Sequence, residues 1–195
     1  MKKIHPKHFR ILGVAPSSRG FGFAVLEGQE KLVDWGVKSI TGNKNIGSLA
    51  KVEELIVHYQ PGVIVLEDYS ARDSRRAPRI QELGKKIVSM AKNHQVTVVL
   101  LSRQQVKRAF FPDGQGTKQA LAEMQAARFP EELGSRLPAK RRPWMSEDYR
   151  MDIFDAVAQA LTFRFKKNGK CFELMPGSKD FKADDFKDSR GQCGR

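Results

Sequence analysis

The segment Phe9–Gly28, FRILGVAPSSRGFGFAVLEG, decides how the rest of the chain is read. Phe9 to Val14 is an apolar run of strand length, and Gly20 to Leu26 is a second, joined to the first through a Pro-Ser-Ser-Arg turn. Lys31 to Ile40 makes a third after the turn at Gly28, and three strands in such close succession predict an antiparallel meander. Asn45 to Tyr59 then carries Leu49, Val52, Leu55, Ile56 and Tyr59 at helical spacing until Pro61-Gly62 stops it. Val63 to Glu67 (VIVLE) is a short β-branched strand, buried on both faces.

Beyond it, Asp68 to Arg79 is polar and reads as an exposed loop, followed by a helix over Ile80 to His94 and a fifth strand over Val96 to Ser102. A short helix is expected from Arg103 to Phe111, a turn from Pro112 to Gly116 and a helix from Thr117 to Phe129. Pro130 to Pro143 reads as a basic loop, and Ser146 as the cap of a last helix ending near Lys167. This order implies an α/β protein with a mixed five-stranded sheet and helices on both faces. One domain over residues 1–168 is expected, with a C-terminal extension over 169–195 that becomes a mobile tail from about residue 176.

At 195 residues the chain has room for one good core, and its 40% apolar content suits a folded protein. No apolar run approaches the length that spans a bilayer, so a membrane partner is not expected. The N-terminus shows no secretory pattern, and Cys171 and Cys193 cannot by themselves build a disulfide framework or a zinc site. An intracellular location, cytoplasmic or nucleoid-associated in a bacterium, is the expectation. Thirty-five Lys and Arg against twenty-two Asp and Glu give a net charge of +13, which favours a polyanionic partner, nucleic acid above all.

Three acids stand apart from ordinary surface charge. Glu67 ends an apolar strand, where α/β sheets open their binding crevices. Asp152 and Asp155 lie three apart on the final helix beside Met151, Phe154, Val157 and Leu161, and therefore project from nearly one face. Like charges set beside an apolar face repel unless a cation lies between them, and a hard, oxygen-loving ion such as Mg²⁺ or Mn²⁺ suits them.

Taken together, ILGVAPSSRGFGFAVLEG, VIVLE, RQQVKRAFFPDGQGTKQALAEM and MDIFDAVAQAL resemble, in that order, the landmarks of RuvC-type Holliday junction resolvases. The resemblance spans roughly Phe9 to Phe165. It implies an RNase H-like fold and a homodimeric, structure-selective DNA endonuclease of recombination and repair that acts on four-way junctions. It also implies four carboxylates holding two Mg²⁺ or Mn²⁺ ions for in-line hydrolysis of a phosphodiester. Glu67, Asp152 and Asp155 match three of these. The fourth position, at the end of the first strand, is Ala15, whose methyl ligates nothing, so cleavage should nearly vanish. Three retained acids favour a substitution at 15 in an otherwise intact nuclease over a natural, non-catalytic binder of branched DNA. On that reading Ala15→Asp restores Mg²⁺-dependent cutting.

The resemblance further places Lys107 and Lys118 near the scissile phosphate, Lys118 among the catalytic groups at a helix N-terminus approached through Gly114 and Gly116. Candidate phosphate contacts elsewhere are Arg19, Arg108, the loop residues Arg72, Arg75, Arg76 and Arg79, and the run Lys140, Arg141, Arg142. Gly20 and Gly22 would let a DNA backbone approach the sheet, with Phe21 and Phe23 in the core. Phe110 and Phe111 are a weaker candidate for a wedge between bases. Trp35 and Trp144 carry no argued role.

Overall fold

A computed structural model describes residues 9–28, 31–70, 76–142 and 144–168. Five strands form one sheet in the order β3-β2-β1-β4-β5. β1 (Arg10–Pro16), β2 (Gly20–Glu27) and β3 (Lys31–Ser39) make the expected antiparallel meander. β4 (Val63–Glu67) joins β1 in parallel, and β5 (Thr97–Leu101) joins β4 in parallel. The first strand runs two residues past Val14, so Ala15 is inside it and pairs with Gly22.

Side-chain alternation along the strands sorts the core into two layers. Leu12, Val14, Phe21, Phe23, Ile64 and Leu66 face the helices α1 (Lys44–Tyr59) and α2 (Pro78–Asn93). Ile11, Ala15, Ala24, Leu26, Val63 and Val65 face the final helix, α6 (Met151–Asn168). Glu67 continues the Val63–Val65 parity and so belongs to the α6 side. Asn43 caps α1 by accepting from the Ile46 N–H at 3.2 Å, and Gln60 ends it in a left-handed conformation with φ 46°. α3 (Arg103–Phe110) opens on a reciprocal Ser102–Gln105 capping box. α4 (Lys118–Arg128) is capped by the Thr117 hydroxyl.

Two expectations about the C-terminal third are corrected. The stretch from Pro130 is not all loop. Pro130–Leu133 forms a one-turn helix, α5, with proline in its first turn, and Gly134–Arg136 continues it as a 3₁₀ turn anchored by buried Leu133. The last helix begins at Met151, not at Ser146. Asp148 turns back on its own neighbourhood, accepting from the Arg150 backbone N–H at 2.9 Å and from the Arg150 guanidinium at 2.8 Å. Such local side-chain bonds compete with the helical ladder, so the helix starts after Asp148.

Two glycines bring α6 down onto the sheet. A Cβ at Gly13 would lie 2.2 Å from the Ala156 carbonyl oxygen, and one at Gly22 would lie 2.1 Å from the Asp152 carbonyl oxygen. Gly22 therefore admits the α6 backbone, where the sequence suggested an approach by DNA. Phe21 and Phe23 are core residues, as expected. The expected C-terminal extension, 169–195, lies outside the described residues. Among the described residues no helix is long and apolar enough to cross a membrane.

Candidate functional site

The C-terminal ends of β4 and β5, α3, the N-terminus of α4 and one face of α6 surround a cleft of about 620 Å³. Glu67 enters it from the end of β4 and Asp155 from α6. Asp152 lies one turn earlier on α6, its backbone packed on Gly22, the strand partner of Ala15. Gln159, one turn beyond Asp155, is buried between β1 and β4; with its amide assigned in the orientation that satisfies both neighbours, its nitrogen donates to the Val14 carbonyl at 2.8 Å and the Val65 carbonyl at 3.1 Å. The β1–β4 ladder pairs only as far as Gly13 and Val65, and Gln159 ties the strands just past that point. Ala15 sits in this corner, 3% exposed, and offers no oxygen.

The acids meet cations of the chain itself. Arg76 donates to Glu67 Oε2 from Nε at 2.9 Å, and its Nη2 is also 2.9 Å from that oxygen. The same Nη2 is 3.9 Å from Asp155 Oδ2, so one guanidinium spans both acids. Arg103 donates to the other oxygen of Glu67 at 2.7 Å. Lys118 Nζ is 2.9 Å from Asp155 Oδ2 and 2.8 Å from Glu147 Oε1. The Glu67 side chain is only 6% exposed, and these hydrogen-bonded partners offset the cost of burying its carboxylate.

The titration of the site follows. Burial depresses Arg76 and Lys118, but the charges of Glu67 and Asp155 on the first and of Asp155 and Glu147 on the second more than offset this and leave both raised. Burial pushes Asp152 up to about 6; the Asp155 charge adds to this, while the Ser17 hydroxyl and the Lys118 ammonium oppose it. Burial and the Glu67 charge also raise the Tyr69 phenol, which packs on Gly84 beneath the site.

Among the described residues, no three His, Cys, Asp or Glu side chains are arranged to hold a metal ion. The donor chemistry agrees. Mg²⁺ asks for near-octahedral oxygen ligation, yet both Glu67 oxygens already accept from guanidinium, one Asp155 oxygen faces an ammonium, and position 15 carries a methyl. The residues present do not fit a two-ion centre.

The predicted DNA-facing residues divide. Lys107 lines the cleft and is exposed, and Arg108 is exposed beside it on α3. Arg19 is exposed on the β1–β2 turn, its guanidinium 6.0 Å from the Tyr149 ring centre. Lys140, Arg141 and Arg142 are exposed, with Arg142 5.8 Å from the ring centre of exposed Trp144. Two arginines are not free for phosphate. Arg76 is the internal partner of Glu67, and Arg79 donates to the Ser17 carbonyl at 2.8 Å and to Asn45 Oδ1 at 2.9 Å, tying the β1–β2 turn to α1. Arg72 and Arg75 lie outside the described residues. The approach to α4 is also partly used: Asp113 accepts the Gln115 N–H and Thr117 accepts the Ala120 N–H. Phe110 is buried against Phe165 and Phe111 packs on Gly116, so neither is placed as a wedge.

Arg103, Glu147 and Gln159 escaped the sequence reading. A signal existed for Arg103: Glu67 pairs with Leu101 in the sheet, which brings a residue two positions later beside the Glu67 carboxylate. Gln159 stands four residues after Asp155 on the same helical stripe.

No protein-family model matches the sequence, and no curated protein matches it. Solved structures do. The chain is similar to Thermus thermophilus RuvC, with 20% identity and a TM-score of 0.61 over 83% of this chain and 98% of that one. It is similar to T. thermophilus RuvC in complex with Holliday junction substrate, with 21% identity and a TM-score of 0.60 over 84% and 98%. The yeast mitochondrial Holliday junction resolvase Ydc2 follows at 14% identity and a TM-score of 0.55, over 84% of this chain and 80% of that one. The chain has the RuvC-type, RNase H-like fold.

Proposed function

We propose that this chain is a resolvase-like protein that binds branched DNA, a four-way junction in particular, and does not cut it. The observation that carries the reading is the Arg76 guanidinium set against Glu67 and Asp155, in a chain whose first strand carries alanine at position 15. A nuclease that had lost only its first-strand Asp would leave its remaining acids repelling one another around an open space. Here Glu67 and Asp155 are paired with Arg76, Arg103 and Lys118 from three other segments, which offsets the cost of burying them without a metal ion.

Binding is supplied by the rest of the cleft and its rim. A net charge of +13 draws DNA in at long range. Exposed Lys107 and Arg108 on α3, Arg19 on the first turn and Lys140–Arg142 ahead of α6 offer contacts to backbone phosphates. Arg103 is 43% exposed despite its bond to Glu67, so a phosphate can reach its free nitrogens. One solved structure of similar fold is RuvC with a Holliday junction substrate, which supports a four-way junction as the ligand here. A homodimer would match the two-fold symmetry of such a junction.

A second reading, a Mg²⁺- or Mn²⁺-dependent endonuclease impaired only at position 15, is favoured by the meeting of Glu67 and Asp155 on one nitrogen with Asp152 one turn away. A labelled junction incubated with the protein and Mg²⁺, then run on native and denaturing gels, separates the two. The proposal predicts a retarded native band and full-length strands on the denaturing gel for the chain as it stands and for Ala15→Asp. Paired nicks from Ala15→Asp would establish the second reading instead.

A further inference from the structure

Three carboxylates of the centre are paired with the chain's own cations, and Asp152 stands outside these pairs. Arg76, Arg103 and Lys118 stand against Glu67, Asp155 and Glu147, three cations to three carboxylates, each within ion-pair distance of at least one opposite charge. Arg76 matters most, because one of its nitrogens lies between acids from two different elements, β4 and α6, and its side chain is only 20% exposed. A divalent ion entering there would have to displace that guanidinium from Glu67 and Asp155, and would still lack an oxygen at position 15. The arrangement is also a joint: Glu67 and Asp155 hold the β4 end to α6 through Arg76, much as Gln159 does one turn deeper.

We propose that Arg76 is a built-in cation that replaces the divalent metal of this centre, so that the chain engages DNA phosphate with no metal bound. The first half concerns the free protein; the second rests on the DNA-binding reading above. A metal-filled acidic centre binds phosphate through the ion. Here the attraction comes instead from cations already in place, with Lys107 and the exposed side of Arg103 facing the cleft. Chelators should then leave binding intact.

The test is a titration of Mn²⁺ into the free protein, followed by electron paramagnetic resonance of the unbound ion, with junction affinity measured separately in EDTA and in Mg²⁺ at matched ionic strength. The proposal predicts no stoichiometric Mn²⁺ binding by the chain or by Ala15→Asp. It predicts stoichiometric binding by Ala15→Asp combined with Arg76→Gln, and junction affinities in EDTA and Mg²⁺ that agree within about threefold. Stoichiometric Mn²⁺ binding by the unaltered chain, or by Ala15→Asp alone, would overturn the role of Arg76. So would a double variant that stays folded by circular dichroism yet binds no Mn²⁺. Loss of junction affinity by more than about tenfold in EDTA would overturn the second half. A chain that binds no Mn²⁺ and also fails to prefer junctions would defeat the functional reading and leave the built-in cation standing.

Discussion

Arg76 holds Glu67 with two nitrogens, Nε and Nη2, both 2.9 Å from the same carboxylate oxygen. The pair joins the polar segment after β4 to the end of β4 itself, and through Asp155 it reaches α6. Its burial makes it a stability element as well as an electrostatic one. Removing one partner of a buried ion pair costs about 3–5 kcal/mol. Arg103 remains on Glu67 when Arg76 is lost, so Arg76→Gln should cost less, about 1–3 kcal/mol in urea unfolding. Added salt should recover little of it, because the pair is screened from solvent. An unchanged midpoint would show that the pair carries no stability.

The contact of α6 with the sheet gives a sharper stability contrast. Gly22→Ala drives a methyl into the Asp152 backbone, which neither β2 nor α6 can yield without moving the acids, and should cost more than about 2 kcal/mol. Gly134→Ala, in the 3₁₀ turn where a Cβ meets nothing within 4 Å, should be neutral or gain up to about 1 kcal/mol. Thermal or urea unfolding of the two variants side by side checks the pair; equal effects would mean that α6 does not rest on Gly22.

Asp152 sets a pH dependence with a definite sign. Its folded pKa of about 6 lies above its ordinary value of 3.8, so between those values the folded state holds the extra proton. Stability from this group therefore falls as pH rises from about 4 to 6, and the penalty is complete above that window. Asp152→Asn removes it. The variant should gain about 1–2 kcal/mol over the parent at pH 7.5, allowing for partial exposure, and almost nothing at pH 4. A gain that does not change with pH would contradict the assignment.

The basic rim predicts a salt effect. Each phosphate neutralised adds about 0.9 to the slope of log affinity against log salt. Replacing Lys140, Arg141 and Arg142 by Ala should lower that slope by roughly 2–3 for junction DNA. Arg79→Ala should leave the slope unchanged while lowering stability, because its guanidinium is already committed to the Ser17 carbonyl and Asn45. A slope that ignores the triple substitution would place the DNA elsewhere.

Much of this was legible in the residues themselves. The meander, VIVLE and the stripe of α6 follow from apolar periodicity, and the end of β4 announced itself because a strand buried on both faces closes on a glutamate. The order of the blocks points to the RNase H-like fold. What periodicity could not show was which cations turn inward. Arg72, Arg75, Arg76 and Arg79 look alike in sequence, yet Arg76 turns back onto an acid of β4 and Arg79 reaches a carbonyl of the first turn, a partner far away along the chain. The true start of α6 was hidden for a related reason: Asp148 resembles a helical acid but spends its oxygens on Arg150. Gly22, read as room for DNA, proved to be room for a helix, because small residues report a close approach without naming what approaches.

The most direct measurement is competition between a four-way junction and a linear duplex of the same sequence and length for the unaltered chain, at fixed salt in EDTA. The account predicts that the junction is bound more tightly by about tenfold or more, with its strands intact. Equal affinities for the two DNAs would contradict it.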